Sequence, residues 1–114
     1  VNTDLAAFVC VEDAGGQGAA VAVKEAGKTG QVRIVAMDKD PSTVRFIAEG
    51  VIDASVAQRS YTMSYMGLQM LHNFRNDQIK FLKDWRKAGV NPLPPIVDTG
   101  SFLITRENAK FFTP

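Results

Sequence analysis

Two stretches near the start of the chain each run from a short apolar segment, through an acidic residue, into a helically spaced apolar stripe closed by glycine. No other feature constrains the fold as much. Leu5 to Val11 is a nearly unbroken apolar run. A run so short and so uniformly apolar reads as a strand buried on both faces, the kind found in parallel sheets. Glu12 and Asp13 end it, and Asp13 suits the N-cap. Ala19, Ala22, Val23 and Ala26 then recur at helical spacing up to Gly27, a residue fitted to the left-handed position after a helix. The second unit follows at once. Val32 to Met37 reads as a buried strand ended by Asp38, and Asp40 with Pro41 supplies an N-cap and a first helical residue. Val44, Ile47 and Ala48 form the stripe, and Gly50 closes the helix.

Val51 to Gln58 reads as a third strand. Ile52, Ala54 and Val56 alternate with Asp53 and Ser55, which places this strand nearer a sheet edge than the first two. From Ser60, itself a good N-cap, the residues Met63, Met66, Met70, Leu71 and Phe74 fall on one face of an amphipathic helix. Asn76 to Lys87 reads as a further helical segment with Ile79, Leu82 and Trp85 as its contacts. Pro92, Pro94 and Pro95 force an extended connection, and Ile96, Val97, Phe102 and Ile104 suggest short closing strands around Gly100. Strand and helix alternate through short links with no internal repeat. The expected architecture is therefore α/β, a three-layer, mostly parallel sheet flanked by helices.

Composition removes several function classes. The chain has 114 residues, 46% of them apolar, enough for one core or for a piece of a larger two-lobed protein. Thirteen Lys and Arg stand against 12 Asp and Glu, giving a formal charge of +1. Without a basic block interleaved with aromatics, nucleic acid is not an expected partner. The single cysteine, Cys10, supports neither a disulfide framework nor a cysteine-based metal site, and it reads as an inert core thiol. The apolar runs are shorter than the roughly 20 residues of a membrane span. The chain opens almost directly on a strand with no signal-peptide pattern, which reads as a truncation.

Ligands of open parallel sheets bind beyond the carboxyl ends of the strands, where helix N-termini also point. Those ends bring Glu12 with Asp13, Met37 with Asp38, and Gln58 to one rim. Carboxylates accept from neighbouring hydroxyls and a glutamine amide both donates and accepts, so the set suits a neutral polyhydroxylated ligand. Asp13 reads as a helix cap. Asp38, followed by a separate cap at Asp40, reads as a ligand contact. Glu12 reads equally as a contact or as a solvated rim charge, and Gln58 is left free for a contact by the cap at Ser60. His72 falls about 180° from the apolar stripe of its helix, on the solvent side. Gly15, Gly16 and Gly18 match neither phosphate-loop spacing and serve close helix packing instead. No Ser-His-Asp or Cys-His set can be assembled, so no enzyme activity and no cofactor is expected.

Three segments make the pattern specific: FVCVEDAGGQGAAVAVKEAG, VRIVAMDKDPSTVRFIAEGVIDASVAQ and VDTGSFLITREN. In this order they resemble the sugar-binding proteins of ABC transporters, of the ribose-binding type, over most of the chain. The resemblance implies a flavodoxin-like lobe of a type 1 periplasmic binding protein, here its C-terminal portion. Residues 1–58 would be part of the sugar-binding lobe, residues 59–95 a crossover helical segment that packs on the other lobe, and residues 96–114 the return strands and tail. It implies sugar contacts at Glu12, Met37, Asp38 and Gln58. Asp38 and Gln58 match that family's residue types, whereas Glu12 stands where an amide is usual and Met37 where an aromatic ring is usual. It further implies a monosaccharide ligand, a membrane permease as partner and a periplasmic or cell-surface location. With the other lobe missing, the Met63, Met66, Met70, Leu71 and Phe74 stripe would pack on the local sheet or on a second copy. The effector domain of a LacI-type repressor shares these motifs and is the alternative. A Mg²⁺-binding receiver-like domain is a more distant one, because Lys39 is the only lysine directly after a strand end.

Overall fold

The structure, a computed structural model, describes residues 4–79 and 82–113. The chain divides into two compact units, Val1–Gln58 with Ser101–Pro114, and Arg59–Gly100.

The first unit is built on strands β1 (Ala7–Val9), β2 (Arg33–Met37), β3 (Ala54–Gln58) and β4 (Ser101–Thr105), with helices α1 (Asp13–Glu25) and α2 (Pro41–Ala48) between the first three. The sheet order is β1-β2-β3-β4. The first two pairings are parallel and β3 pairs with β4 antiparallel, so the sheet is mostly parallel as expected. Residues paired in register share a face. Phe8, Ile34, Ala36, Ser55, Ala57, Phe102 and Ile104 therefore line one face, and Val9, Val35, Met37, Val56 and Leu103 the other.

Helices cover the first of these faces. α1 packs on β2, α2 packs on α1 and β3, and a 3₁₀ turn at Ala109–Phe111 packs on α2. The core is Ala20, Val23, Ile34, Val44, Ile47, Ile52 and Ile104 with their neighbours. Among the described residues no helix of the same unit packs on the opposite face, so two of the three expected layers are present within it.

That one-sided cover explains where the strand expectations differ. β1 is short and lies at the sheet edge; Phe8 is half-buried against the core, but Val9 is 74% exposed and Val11 80%. Leu5 to Val11 is not buried on both faces. β3 is interior rather than near an edge, because β4 returns along its outer side. Its alternation has another cause: Asp53 is held by the Ile34 N–H at 2.8 Å and by Arg33 at 2.5 Å, just before the strand begins.

Helix ends follow sequence chemistry closely. Asp40 caps α2, accepting from the Ser42 amide at 2.9 Å and the Ser42 hydroxyl at 2.5 Å, with Pro41 in the first turn. Gly27 and Gly50 both take left-handed backbone, with φ of 66° and 75°. Each closes a Schellman motif: Lys28 N–H donates to Val23 O and Val51 N–H to Phe46 O. The buried stripes are rotated from expectation. In α1 Gly16, Ala19, Ala20 and Val23 are buried while Ala22 and Ala26 are exposed; in α2 Phe46 is buried and Ala48 exposed. Phe46 is flanked by Lys24 and Arg45, whose alkyl stems and charges shelter its ring.

The second unit carries α3 (Ser60–Arg75). Ser60 is not its cap: the N-cap is Arg59, with no side-chain bond to the helix, and Ser60 is already helical. No residue of α3 is buried, and Met63, Met66 and Leu71 are exposed while Met70 and Phe74 are half-buried. The helix stops at a Schellman turn in which Asp77 takes the left-handed position (φ 52°) and Gln78 N–H donates to Asn73 O. Beyond it, residues 83–89 form turns rather than the helix expected for Asn76 to Lys87; Lys80 and Phe81 lie outside the described residues. Trp85 packs on Phe74 with ring centroids 5.3 Å apart. Ile96 and Val97 belong to no strand, so β4 alone closes the sheet.

Candidate functional site

The carboxyl ends of β1, β2 and β3 meet at one rim because the three strands are parallel and in register. Two ladder bonds extend past the strands and fix the residues that follow: Cys10 N–H donates to Val35 O and Asp38 N–H to Val56 O, both at 2.9 Å.

At the end of β1 the helix cap falls one residue earlier than expected. Glu12, not Asp13, is the N-cap of α1; its backbone is extended and its carboxylate accepts from Ala14 N–H at 3.2 Å. Asp13 is the first helical residue. Glycine at position 15 leaves room for this, since a Cβ there would lie 2.8 Å from the Glu12 carboxylate. Burial pushes the Asp13 carboxyl up, and the nearby carboxylates of Asp40, Asp38 and Glu12 push the same way against an opposing Gln17 side chain. Among the described residues its buried Oδ1 meets no hydrogen-bond partner. Asp40 goes the other way, held down by the Ser42 hydroxyl and amide.

At the end of β2, Asp38 adopts left-handed backbone with φ of 65°, unusual for a residue with a side chain. The fully buried Ser55 holds it there, donating its hydroxyl to Asp38 O at 2.6 Å. The turn aims the Asp38 carboxylate at β3, where it accepts from Gln58 N–H at 3.4 Å and from the Gln58 side-chain amide at 3.4 and 3.3 Å. Two residues singled out from separate strands are thus in direct contact. Met37 is half-buried on the helix-free sheet face, beside Val56 in register. Ser55 was missed as a contributor, because strand alternation assigned it to the less buried face.

Other candidates play no part at this rim. Burial raises the Cys10 thiol, with Glu12 reinforcing, which suits an inert side chain. Gly16 does serve packing, as its Cα faces Ala36 with no room for a side chain. His72 is exposed, and its carbonyl accepts from the Asn76 side chain at 2.8 Å. Among the described residues no three His, Cys, Asp or Glu side chains are grouped to hold a metal ion, and no helix is long and apolar enough to cross a membrane.

Comparison with known proteins places these features in context. Residues 1–78 match the family model described as the periplasmic binding protein domain. The chain is 34% identical over 70 residues to the D-allose-binding periplasmic protein of Escherichia coli, covering 61% of this chain and 22% of that protein. It resembles the solved structure of a sugar-binding protein of a sugar ABC transporter from Bacillus halodurans, with a TM-score of 0.80, 30% identity and coverage of 95% of this chain. An arabinose-binding protein from Geobacillus stearothermophilus superposes with a TM-score of 0.77 at 32% identity over 99% of this chain. The chain spans 36% and 37% of those two structures.

Proposed function

The chain belongs to the periplasmic binding protein domain family, and from that premise we propose that it forms one wall of a monosaccharide cleft in the substrate-binding component of an ABC-type sugar transporter. The contact between Asp38 and Gln58 across the ends of two adjacent parallel strands carries this reading. Charged acceptors held in fixed positions suit vicinal hydroxyls, which donate in defined directions. The proposed sugar contacts are Glu12, Met37, Asp38 and Gln58, with Met37 supplying an apolar wall. Glu12 has one carboxylate oxygen engaged by the α1 N-terminus, and its other oxygen is the proposed acceptor.

The relatives are named for what they bind, and no chemical step is assigned to these residues. A membrane permease is the proposed partner of the intact protein, and the periplasm or cell surface its proposed location. Residues 1–58 and the return strand would belong to one lobe, and the crossover segment after Gln58 would pack on the other. Two lobes closing on a ligand exclude water and raise affinity, so this chain alone is expected to bind weakly.

Calorimetric titration of the full natural chain with arabinose, D-allose and D-fucose, with Mg²⁺ as control and Asp38→Ala alongside, tests the reading. Tight binding of one sugar, lost in the variant, is expected. Silence from every sugar with a response to Mg²⁺ would overturn it.

A further inference from the structure

The Gln58 side-chain amide has two ends of opposite character, and the geometry at the rim decides which of them faces Asp38. Gln58 Nε2 lies 3.4 Å from Asp38 Oδ1 and 3.3 Å from Asp38 Oδ2. An ionised carboxylate only accepts, so the NH₂ end of the amide, never its oxygen, must face it. The carbonyl oxygen of Gln58 is then turned away from Asp38. The carboxylate itself accepts from the Gln58 backbone N–H on Oδ1, and the backbone that carries it is fixed by the left-handed turn at Asp38 and the Ser55 hydroxyl on the Asp38 carbonyl.

We propose that Asp38, besides its own contact with the ligand, positions Gln58: it takes one N–H of the amide and so fixes the side chain with its carbonyl oxygen turned toward the ligand. The inference rests on the sugar-cleft reading for its ligand. It adds an orientation, in which the Gln58 carbonyl oxygen is held ready to accept from a ligand hydroxyl. Fixing the amide before binding also removes the cost of ordering it, which strengthens the complex without a new contact.

A swap of side chains separates positioning from direct contact. In Asp38→Asn the partner carries a donor as well as an acceptor and no longer dictates the amide's orientation. In Gln58→Glu two carboxylates face each other. Combining both restores a donor against an acceptor, now from Asn to Glu, and still leaves an oxygen toward the ligand. Titrating the full natural chain with D-allose and arabinose, each single variant is expected to weaken binding by about tenfold or more and the double variant to bind at least about tenfold more tightly than the product of the two losses predicts. Losses that simply multiply in the double variant would overturn the proposal.

A second measurement does not depend on the ligand. The Gln58 side-chain NH₂, assigned in the ¹⁵N–¹H spectrum by its loss in Gln58→Glu, should exchange slowly with solvent and speed up in Asp38→Asn. An NH₂ signal indifferent to Asp38→Asn would refute the positioning. If that signal responds while no sugar binds the parent chain, the sugar reading falls and the Asp38–Gln58 orientation stands.

Discussion

Gly16 is the residue whose replacement tests the packing argument most sharply. It sits in the first turns of α1, directly over β2, and a Cβ built on it would lie 2.6 Å from Ala36 Cβ and 3.4 Å from Ala36 Cα. Favourable carbon contacts lie at about 3.5–4.0 Å, so Gly16→Ala demands a displacement of about 1 Å between helix and strand. Ala36 has no flexible side chain to move aside, and the shift must be taken up by backbone. Overpacking of this kind costs about 1–3 kcal/mol, and the short distance points to the upper half of that range. Alanine returns about 1 kcal/mol through helix propensity, leaving a net loss of about 1–2 kcal/mol. Gly18, in the same helix, has nothing within 4 Å of its Cβ position. Gly18→Ala therefore keeps the propensity gain without the clash and should stabilise by about 0.5–1 kcal/mol. The comparison removes propensity from the question, since both substitutions are Gly to Ala in one helix. Equilibrium urea denaturation followed by circular dichroism should separate the two midpoints by about 1 M. If Gly16→Ala is no less stable than Gly18→Ala, helix α1 does not depend on glycine for its approach to the sheet.

Three further outcomes are expected. Ser55→Ala leaves the Asp38 carbonyl without its hydroxyl donor in a buried setting, and should cost about 1–3 kcal/mol in the same urea assay; a neutral result would show that the left-handed turn needs no anchor. Asp13 has a folded-state pKa raised by burial and by Asp40, Asp38 and Glu12, so ionising it costs stability as pH rises from the unfolded carboxylate value of about 3.9 through the higher folded one. The stability difference between Asp13→Asn and the parent should therefore move in favour of Asn from pH 3 to pH 7, and a difference independent of pH would contradict the shift. Exposed Met63, Met66 and Leu71 on α3, with Val9 and Leu103 on the helix-free sheet face, should drive self-association of this 114-residue chain. Sedimentation velocity across a concentration series checks this, and a monomer at every concentration argues against it.

What could be read from the residues in order was whatever local chemistry decides. The alternation of apolar runs with helical stripes, the cap at Asp40–Pro41 and the stops at Gly27 and Gly50 depend on residues within a turn of one another, and they appear as expected. The location of Asp38 and Gln58 at strand ends follows from the same periodicity, because parallel strands bring their carboxyl ends together without further instruction. Local reading failed where two residue types compete for one position or where distant chain decides. Glu12 outcompetes Asp13 as a cap, and Asp77 takes the left-handed position that stops α3 within the segment expected to continue as helix.

Strand β3 is interior only because β4, more than forty residues later in sequence, comes back to pair with it. The burial of Ser55 and the rotation of the α2 stripe toward Phe46 follow from which face the helices cover, a property of the assembled sheet. The contact between Asp38 and Gln58 belongs to the same class. Sequence placed both at one rim, but a positive φ at Asp38, the buried Ser55 hydroxyl that anchors it and a 3.3 Å approach between strands are set only when the chain is folded. Periodicity determines which residues share an edge; three-dimensional packing determines which of them touch, and through which atoms.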